Sequence, residues 1–390
     1  MTVATQSFTE VTDASDFQDM LNASQLPVDE AMSLPAACYH DESVQKSESK
    51  KIFHRHWLGL GRADRFKEPG QFETMDIAGV PLLLISDRNG VLHAFNNACR
   101  HRGAKLLSGE GNTKVISCPF HCWTYHANGQ FITAPHMSDS KNFDKSTLGL
   151  VEFALKIHAG FVFVCFDPDP PDFSQFLGDF DRLHSPWPLE TLVSVRRQSF
   201  EVKCNWKLFL DVFNEYYHLQ FVHPDSINGV YAKPDPADVT SGAYASQFGA
   251  TEGTGGLLES QQAFALPAIP GLQGQAKNGT RYTWVYPNMT FAAGTDSLWI
   301  YEAYPLDPQR CIAYQTLCFP QEALDLDDFE TKVAFYYERF DAAVEEDRIA
   351  LENQQQGLAS PFSKPGPYSP SMEPNVAAFA RWYAQRMQAK

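Results

Sequence analysis

The chain has 390 residues, of which 44% are hydrophobic and 13% aromatic, and its formal net charge at pH 7 is -16. This length predicts two or three domains with cores of their own. The negative charge argues against nucleic acid as a partner, because nucleic-acid binding needs a basic surface. The apolar runs are strand-sized and far too short to span a membrane.

The N-terminal segment, to about residue 30, is polar and acidic rather than basic and apolar. It therefore reads as neither a signal peptide nor a transit peptide, and we expect a cytoplasmic protein. Two of the eight cysteines belong to the motif described below. The other six show no paired framework, so we expect reduced thiols.

Residues from about 50 to 160 read as short strands and turns. An apolar run covers 79–85, Asp87-Arg88-Asn89-Gly90 suits a hairpin turn, and a second strand is predicted over 91–95. The run at 161–166 has the length of another strand. We expect a small antiparallel β domain that presents its ligand loops at one tip.

Two loops of this region each carry one cysteine and one histidine. Cys99 and His101 lie in the first, Cys118 and His121 lie in the second, and sixteen residues separate the pairs. Two thiolates and two imidazoles suit either one zinc ion or a [2Fe-2S] cluster with histidines on one iron. Zinc sites usually have two cysteines in one loop and two histidines in the other. Each loop here gives one cysteine and one histidine, so the order favours the cluster.

The stretch 97–125, with Cys-Arg-His-Arg-Gly and Cys-Pro-Phe-His-Cys-Trp-Thr-Tyr, resembles the Rieske segment of the Rieske non-haem iron oxygenases. The resemblance implies a [2Fe-2S] cluster held by the four residues named above. Many members carry glycine where this chain has Cys122. We therefore expect the loop backbone at Cys122 to suit a residue with a Cβ.

Beyond Asp-Pro-Asp-Pro-Pro at 167–171, alternating apolar residues predict strands at 193–202, 281–291, 298–304 and 311–319, and one helix over 326–357. The resemblance supplies an α+β fold, in which a helix-grip catalytic domain wraps an antiparallel sheet over helices. The predicted division is an N-terminal segment 1–48 that packs on the catalytic domain, a Rieske domain 49–165 and the catalytic domain 166–390.

His218 and His223 follow Asn205-Trp206-Lys207 in a context that is similar to the family's iron-binding histidines. On a regular helix, residues five apart differ by about 140°. The two imidazoles can share a metal only if the helix unwinds or bulges between them, and Pro224 suits a helix stop. The alternative is a pair of core histidines.

Glu215 precedes His218 by three positions. In the family, the acid here lies between the mononuclear iron of one subunit and a Rieske histidine of the next, and it is usually aspartate. With glutamate at this position, the chain resembles carnitine monooxygenase and related quaternary-ammonium demethylases. Those enzymes, however, often have cysteine at the place of Tyr216. Such an acid would couple cluster and iron by hydrogen-bonding both histidines. Neutral variation in an aromatic hydroxylase is the alternative.

Two stretches of the second domain bear on the substrate. Residues 242–279 are rich in Gly, Gln and Ala, which favours a mobile lid or channel wall over the iron, with disorder as the alternative. Opposed aromatic rings on neighbouring strands would enclose a trimethylammonium group, or form a core stripe; they are Tyr282, Trp284, Tyr286, Trp299 and Tyr301. Candidate receivers of a substrate carboxylate are Arg281, Lys233 and Lys277.

Asp347 is the candidate third ligand. Residues 346–355 are similar to the family's Asp-x-x-x-x-Glu-x-x-Gln segment, whose first Asp binds iron. With the two histidines it would complete a 2-His-1-carboxylate triad on Fe(II), which leaves positions open for oxygen. The alternative is one acid among several on a solvated helix face.

The resemblance implies the terminal component of a monooxygenase or dioxygenase system and a homotrimer. The chain has neither the cysteine run of a plant-type ferredoxin nor a dinucleotide-binding glycine run. Electrons from NAD(P)H must therefore arrive through a separate reductase or ferredoxin. Arg100, Arg102 and Lys105 near the first ligand loop would face such an acidic partner.

Three functional hypotheses are consistent with these features. The first is an oxygenase that uses O2 to hydroxylate or N-demethylate a betaine- or carnitine-like quaternary ammonium compound. The second is an oxygenase of an aromatic ring or aromatic acid. The third is a Rieske electron-transfer protein whose second domain only binds a ligand. Glu215 and the aromatic rings favour the first hypothesis.

Overall fold

The computed structural model describes residues 14–231 and 233–389. The α-helices are α1 Ala14–Ala23, α2 Ala37–His40, α3 Glu42–Glu48, α4 Phe173–Leu177, α5 Phe180–His184, α6 Trp206–Phe213, α7 Leu219–Val222, α8 Gln321–Leu324, α9 Phe329–Leu358 and α10 Pro374–Gln388. The strands of the first half are β1 Leu58–Arg62, β2 Gln71–Ile77, β3 Val80–Ser86, β4 Leu92–Asn96, β5 Glu110–Asn112, β6 Val115–Ser117, β7 Thr124–His126, β8 Phe131–Thr133, β9 Ala154–His158 and β10 Phe161–Cys165. The strands of the second half are β11 Val193–Val202, β12 Tyr244–Ala250, β13 Gly279–Val285, β14 Met289–Ala293, β15 Leu298–Asp307 and β16 Arg310–Phe319.

The strands form four sheets, in which all strand pairs are antiparallel. Three small sheets have the orders β1-β10-β9, β4-β3-β2-β5 and β6-β7-β8, and the large sheet has the order β11-β16-β15-β14-β13-β12. The predicted α+β class is therefore confirmed. Within the described ranges, no helix combines the length and the hydropathy that a membrane span requires.

The predicted hairpin at 79–95 is confirmed, because β3 pairs with β4 across the turn. One carboxylate oxygen of Asp87 accepts hydrogen bonds from the backbone N–H groups of Asn89, at 2.8 Å, and Val91, at 3.0 Å. Gly90 has a φ of 78°, a conformation that glycine adopts without strain. The turn therefore closes as its residues dictate.

Strands β13 and β14 and most of β15, in the middle of the large sheet, are buried on both faces. Trp299 and Tyr301 of β15 face α6, α9 and α10, whereas Leu298 and Ile300 face the opposite way, toward β10 and α5. Successive side chains of a strand point to opposite faces, so a strand covered on both sides reads as continuously apolar. This covering fixes the position of α9, which carries Asp347, over the sheet.

The sheet β1-β10-β9 connects the other two small sheets to the large sheet. The Asn288 side chain accepts from the Gly59 N–H at 3.1 Å and donates to the Gly59 carbonyl at 2.8 Å, and the Tyr304 hydroxyl donates to the same carbonyl at 3.1 Å. A Cβ on Gly59 would lie 2.6 Å from the Cβ of Met289. The close approach of β1 to the large sheet therefore needs glycine.

Two predictions for the second domain are wrong. The strand expected at 281–291 is a hairpin of β13 and β14, because Pro287 cannot donate to a ladder and the chain turns at 286–288. In the expected lid at 242–279, residues 244–250 form the edge strand β12. Its small residues serve packing, since a Cβ on Gly249 would lie 2.5 Å from the Tyr216 hydroxyl oxygen.

The described part of the segment 1–48 contacts the second domain through a buried ion pair, and residues 1–13 lie outside the described residues. The Glu48 carboxylate accepts from Lys207 Nζ at 2.5 Å, from the Tyr383 hydroxyl at 2.5 Å and from Trp206 Nε1 at 3.1 Å. The side chains of Lys207 and Glu48 are 0% and 1% exposed. Removing one charge would leave the other buried and unpaired.

We expect Glu48→Ala to lower the free energy of unfolding by about 3 kcal/mol or more, because it leaves the Lys207 ammonium buried without a counter-charge. Urea denaturation of the purified protein measures the change. Glu42→Ala is the matched control in the same segment: its pair with Lys46 is 3.6 Å long and fully solvated, so we expect a loss within about 0.5 kcal/mol. Equal losses in the two variants would contradict a buried anchor.

Candidate metal centres and active-site cavity

His218, His223 and Asp347 lie together, with one ligand atom from each within 4.8 Å of the others. Asp347 Oδ1 is 3.0 Å from His223 Nε2 and 3.6 Å from His218 Nε2. The two imidazole centroids are 5.1 Å apart and their planes meet at 73°. The two Nε2 atoms and one carboxylate oxygen thus face a common point.

The local backbone explains how residues five apart converge. Only the four residues of α7 are helical; His218 is its N-cap, and His223 is its C-cap with φ -118° and ψ 40°. Because His223 has left the helical conformation, its side chain is released from the regular spacing. The predicted interruption therefore takes the form of a helix that ends one residue before His223 and two before Pro224.

A carboxylate holds each histidine by its other nitrogen. Glu215 Oε1 is 2.5 Å from His218 Nδ1, and Glu346 Oε2 is 2.6 Å from His223 Nδ1. Such carboxylate–histidine pairs orient a metal ligand and fix its tautomer. Burial opposes protonation of His218, but the hydrogen bond and charge of Glu215, with the charge of Asp347, raise its pKa above the ordinary value.

The donor set fits iron. Asp347 Oδ1 is buried and has no hydrogen-bond donor, although it faces two imidazole nitrogens. A buried carboxylate oxygen without a donor is costly unless a cation meets it. Two imidazoles and one carboxylate form the facial set of non-haem Fe(II) oxygenases. In this arrangement, the residues that would hold the iron are His218, His223 and Asp347.

The second candidate centre lies at the tip of the small sheets, in the loops after β4 and between β6 and β7. Cys99 and Cys118 are buried, His101 is half-buried and His121 is exposed. The imidazole centroids are 4.8 Å apart, and the Tyr125 hydroxyl lies 3.3 Å from Cys99 Sγ. Burial raises the pKa of the Cys99 thiol, and its contact with Cys118 raises it further.

Inner thiols and outer imidazoles suit a [2Fe-2S] cluster in which histidines bind the outer iron. Cys122 is exposed and has a φ of 55°. The expectation that this backbone suits a residue with a Cβ is therefore wrong: the loop keeps a glycine-favouring conformation, and the Cys122 side chain is accommodated because it points to solvent.

A cavity adjoins the iron triad. Its lining is mostly aromatic and aliphatic, with the triad at one side; it consists of Val212, Phe213, Glu215, Tyr216, His218, Leu219, His223, Ile227, Tyr282, Tyr301, Arg339, Ala343 and Asp347. Every residue of 242–279 is described and none lines the cavity, so that stretch is not its wall.

Only part of the predicted aromatic cage reaches this cavity. Tyr301 lines it together with Tyr282, whereas Trp284 and Tyr286 pack against Phe379 of α10, with centroid distances of 3.9 and 5.4 Å. Trp299 lies behind Tyr282, at 6.1 Å between ring centroids. The sheet twist and α10 thus separate residues that share one strand face, and Trp284, Tyr286 and Trp299 are not brought to the site.

The candidate carboxylate receivers are also elsewhere. Arg281 pairs with the carboxylate of Asp238, and Lys233 and Lys277 are exposed. Sequence reasoning missed Arg339 and Glu346. The signal for Glu346 was available, since it immediately precedes Asp347; nothing in the pattern singles out Arg339, which depends on how α9 is rotated over the sheet.

The chain matches two protein families. Residues 56–144 match the Rieske [2Fe-2S] domain, and residues 189–389 match the ring hydroxylating alpha subunit (catalytic domain). Both kinds of domain are thus present in one chain.

Curated relatives align over most of the chain. The glycine betaine monooxygenase oxygenase subunit of Pseudomonas aeruginosa is 28% identical over 92% of this chain and 90% of its own length. The carnitine monooxygenase oxygenase subunit of Escherichia coli K12 is 28% identical, covering 85% of each chain. The chloroplastic choline monooxygenase of Spinacia oleracea is 26% identical over 99% of this chain and 86% of its own.

Solved structures show the same fold. A quaternary ammonium Rieske monooxygenase in complex with L-carnitine has a TM-score of 0.76 and 24% identity over 95% of this chain and 99% of its own. Naphthalene 1,2-dioxygenase from Rhodococcus sp. has a TM-score of 0.78 and 20% identity over 97% and 99%. Because both score alike, the fold does not choose between the two substrate classes.

We expect Asp347→Ala to lower iron from about three to about two atoms per chain, because it removes one ligand of the mononuclear iron and leaves the cluster. Glu346→Gln should weaken the affinity for that iron by about 10- to 100-fold. Elemental analysis after dialysis against a graded chelator measures both, and visible absorption checks the cluster. Glu345→Gln is the control, since Glu345 pairs with Arg348 at the surface. Loss of iron in the control would contradict the assignment.

Proposed function

The chain belongs to the ring-hydroxylating alpha-subunit family of Rieske non-haem iron oxygenases, and we propose that it oxidises a small quaternary ammonium compound. It is the oxygenase component of a system that uses O2 and takes electrons originating from NAD(P)H through a separate reductase or ferredoxin. The observation that carries the substrate class is the set of aromatic rings that line the cavity beside the triad. The curated relatives, which are named for glycine betaine, carnitine and choline, support the same class.

Four aromatic rings of the cavity lining pack against one another, those of Phe213, Tyr216, Tyr282 and Tyr301. The Phe213 ring lies 4.7 Å from that of Tyr301 and 5.3 Å from that of Tyr282, and the Tyr216 ring lies 5.7 Å from that of Tyr282. All these pairs are edge-to-face. The π faces of such rings attract a trimethylammonium group, which cannot hydrogen-bond.

The chemistry divides between metals and protein. When bound, the mononuclear iron activates O2 and the cluster supplies electrons. The overall conversion of an N-methyl group consumes O2, two electrons and two protons; one oxygen atom leaves as water and the other becomes part of formaldehyde, while the amine loses one methyl. The protein holds the substrate in a dry aromatic pocket and orients the histidines. Hydroxylation of a neighbouring carbon is the related outcome.

We assign His218, His223 and Asp347 to the mononuclear iron, and Cys99, His101, Cys118 and His121 to the cluster. Glu215 would link the two centres between subunits. One oxygen of its carboxylate meets His218 Nδ1, and the other accepts from the backbone N–H groups of Tyr217 and His218. These bonds fix the carboxylate close to the exposed side of the site, where a histidine of a neighbouring copy can meet it.

A homotrimer would supply that neighbour. Exposed rings accompany both centres: Phe120 at the cluster tip is 57% exposed, and Tyr217 and Phe221 beside the iron site are 50% and 69% exposed. Burying such rings between copies would bring the cluster tip of one copy to Glu215 of the next. We also propose the division 1–48, 49–165 and 166–390. The unpaired thiols suit a cytoplasmic location.

We expect a single turnover of the reduced protein with O2 to convert trimethylammonium compounds, with loss of a methyl group as formaldehyde or with hydroxylation. Binding of the substrate should be about tenfold tighter than binding of its neutral tert-butyl isostere, because only the cation is attracted by the rings. Mass spectrometry of the products and calorimetry measure these outcomes. Oxidation of aromatic acids alone would overturn the proposal.

Assemblies that mix two inactive variants test whether electrons pass between subunits. We expect Cys118→Ser, which lacks the cluster, and His218→Ala, which lacks the iron, each to be inactive alone. In mixed trimers of the two variants, one of the three interfaces joins an intact iron site to a neighbour that carries a cluster, so we expect about a third of wild-type turnover. Separately tagged chains, purified in tandem, isolate the mixed assemblies. No recovery in mixed trimers would exclude transfer across the interface.

A further inference from the structure

Arg339 is a buried cation in the wall of the active-site cavity. It lies on α9, is 4% exposed and lines the cavity with Tyr282 and Tyr301. Asp347 follows it by eight residues, so the two lie on one helix face about two turns, or about 12 Å, apart along the axis. Ala343, between them on the same face, also lines the cavity, and its small side chain leaves space between the guanidinium and the triad.

The Arg339 guanidinium has few partners. Its Nη2 donates to the Tyr231 hydroxyl at 3.3 Å, and its Nε is buried without any acceptor. Aromatic rings supply the remaining contacts: the guanidinium carbon lies 4.5 Å from the Phe340 centroid and 5.6 Å from that of Trp299. Among the described residues, no carboxylate lies within ion-pair distance of Arg339.

The other two buried arginines of the described ranges share the unpartnered Nε, but each has more acceptors at its terminal nitrogens. Arg62 donates to the carbonyls of residues 159, 189 and 192 at 2.8 to 2.9 Å. Arg281 pairs with the carboxylate of Asp238 and donates to Ser246 at 2.9 Å. A buried charge without a counter-charge is costly, so a protein that retains one at a cavity wall has a use for it.

The hydroxyl group beside Arg339 does not replace a counter-charge. The Tyr231 hydroxyl accepts from Arg339 at 3.3 Å and from Tyr282 at 2.6 Å, and it donates to the Gly255 carbonyl at 3.3 Å. Arg339 therefore presents to the cavity a positive charge that no carboxylate of the described residues balances.

We propose that Arg339 binds the carboxylate of the substrate, which is then a zwitterion that carries both a quaternary ammonium and a carboxylate. This inference rests on the proposed function and names the substrate class within it. A guanidinium matches a carboxylate through two parallel hydrogen bonds. The site therefore selects betaine- and carnitine-like acids over choline, whose trimethylammonium group is attached to an alcohol.

Glycine betaine and choline form a matched pair of probes, because they share the trimethylammonium group and differ in the anion. We expect the loaded wild-type enzyme to bind glycine betaine more tightly, in calorimetry and in KM. Arg339→Gln should lower the ratio of betaine to choline affinity by about 10- to 100-fold, because a charged hydrogen-bonded pair is lost. Arg339→Lys should restore part of the ratio, since lysine keeps the charge without the fork.

Arg386→Gln is the matched control. Arg386 of α10 also has an unpartnered Nε, but it is part-exposed and stacks on Trp382, away from the cavity. We expect this variant to keep the wild-type ratio. Iron content and cluster absorption check that each variant is assembled. If Arg339→Gln does not assemble, Arg339→Lys and the two ligands on the wild type still decide the proposal.

The outcomes separate the two proposals. Equal wild-type affinity for betaine and choline, or an Arg339→Gln effect that is the same for both, would overturn the carboxylate subsite and leave the quaternary ammonium function standing. Oxidation of neither compound, with binding of benzoate that depends on Arg339, would overturn the function and keep an anion subsite. Preferential oxidation of glycine betaine that Arg339→Gln abolishes would support both.

Discussion

The active site depends on one constraint: two imidazoles that are five residues apart must point their Nε2 atoms to the same place. The end of α7 frees His223 from the helix, and a carboxylate on each Nδ1 then fixes the two rings. Because Glu346 and Asp347 are adjacent on α9, they differ by about 100° around its axis. One therefore orients His223 while the other faces both Nε2 atoms, and this sets the rotation of α9.

That rotation also determines the cavity. With Asp347 directed at the histidines, the positions one and two turns earlier on the same face are Ala343 and Arg339. The large sheet supplies the opposite wall through Tyr282 and Tyr301. The strands that carry them, β13 and β15, are buried at these positions and cannot shift without opening the core. The candidate metal centre and the proposed carboxylate subsite are thus placed by one helix against one rigid sheet.

Buried charges compensate one another in the framework but not in the cavity. Lys207 and Glu48 compensate one another at the contact between the N-terminal segment and the second domain. In the cavity, by contrast, Asp347 Oδ1 lacks a hydrogen-bond donor and Arg339 lacks a counter-charge. Exogenous groups of opposite sign would satisfy both, a metal cation at one end and a substrate anion at the other. Unpaired charge therefore marks the functional surface.

The sequence by itself determined the two metal motifs, because Cys–His and His–His spacings depend on the chemistry of ligands within short segments. The family resemblance that these motifs carry implied the α+β class, and local periodicity determined most element positions, including β11 and the long helix. The cage residues Trp284 and Tyr286 were misplaced and Arg339 was missed. Which face of a strand meets the cavity, and which turn of α9 faces inward, are decided only when the sheet twists and the helix packs, because those directions depend on contacts between segments far apart in the chain.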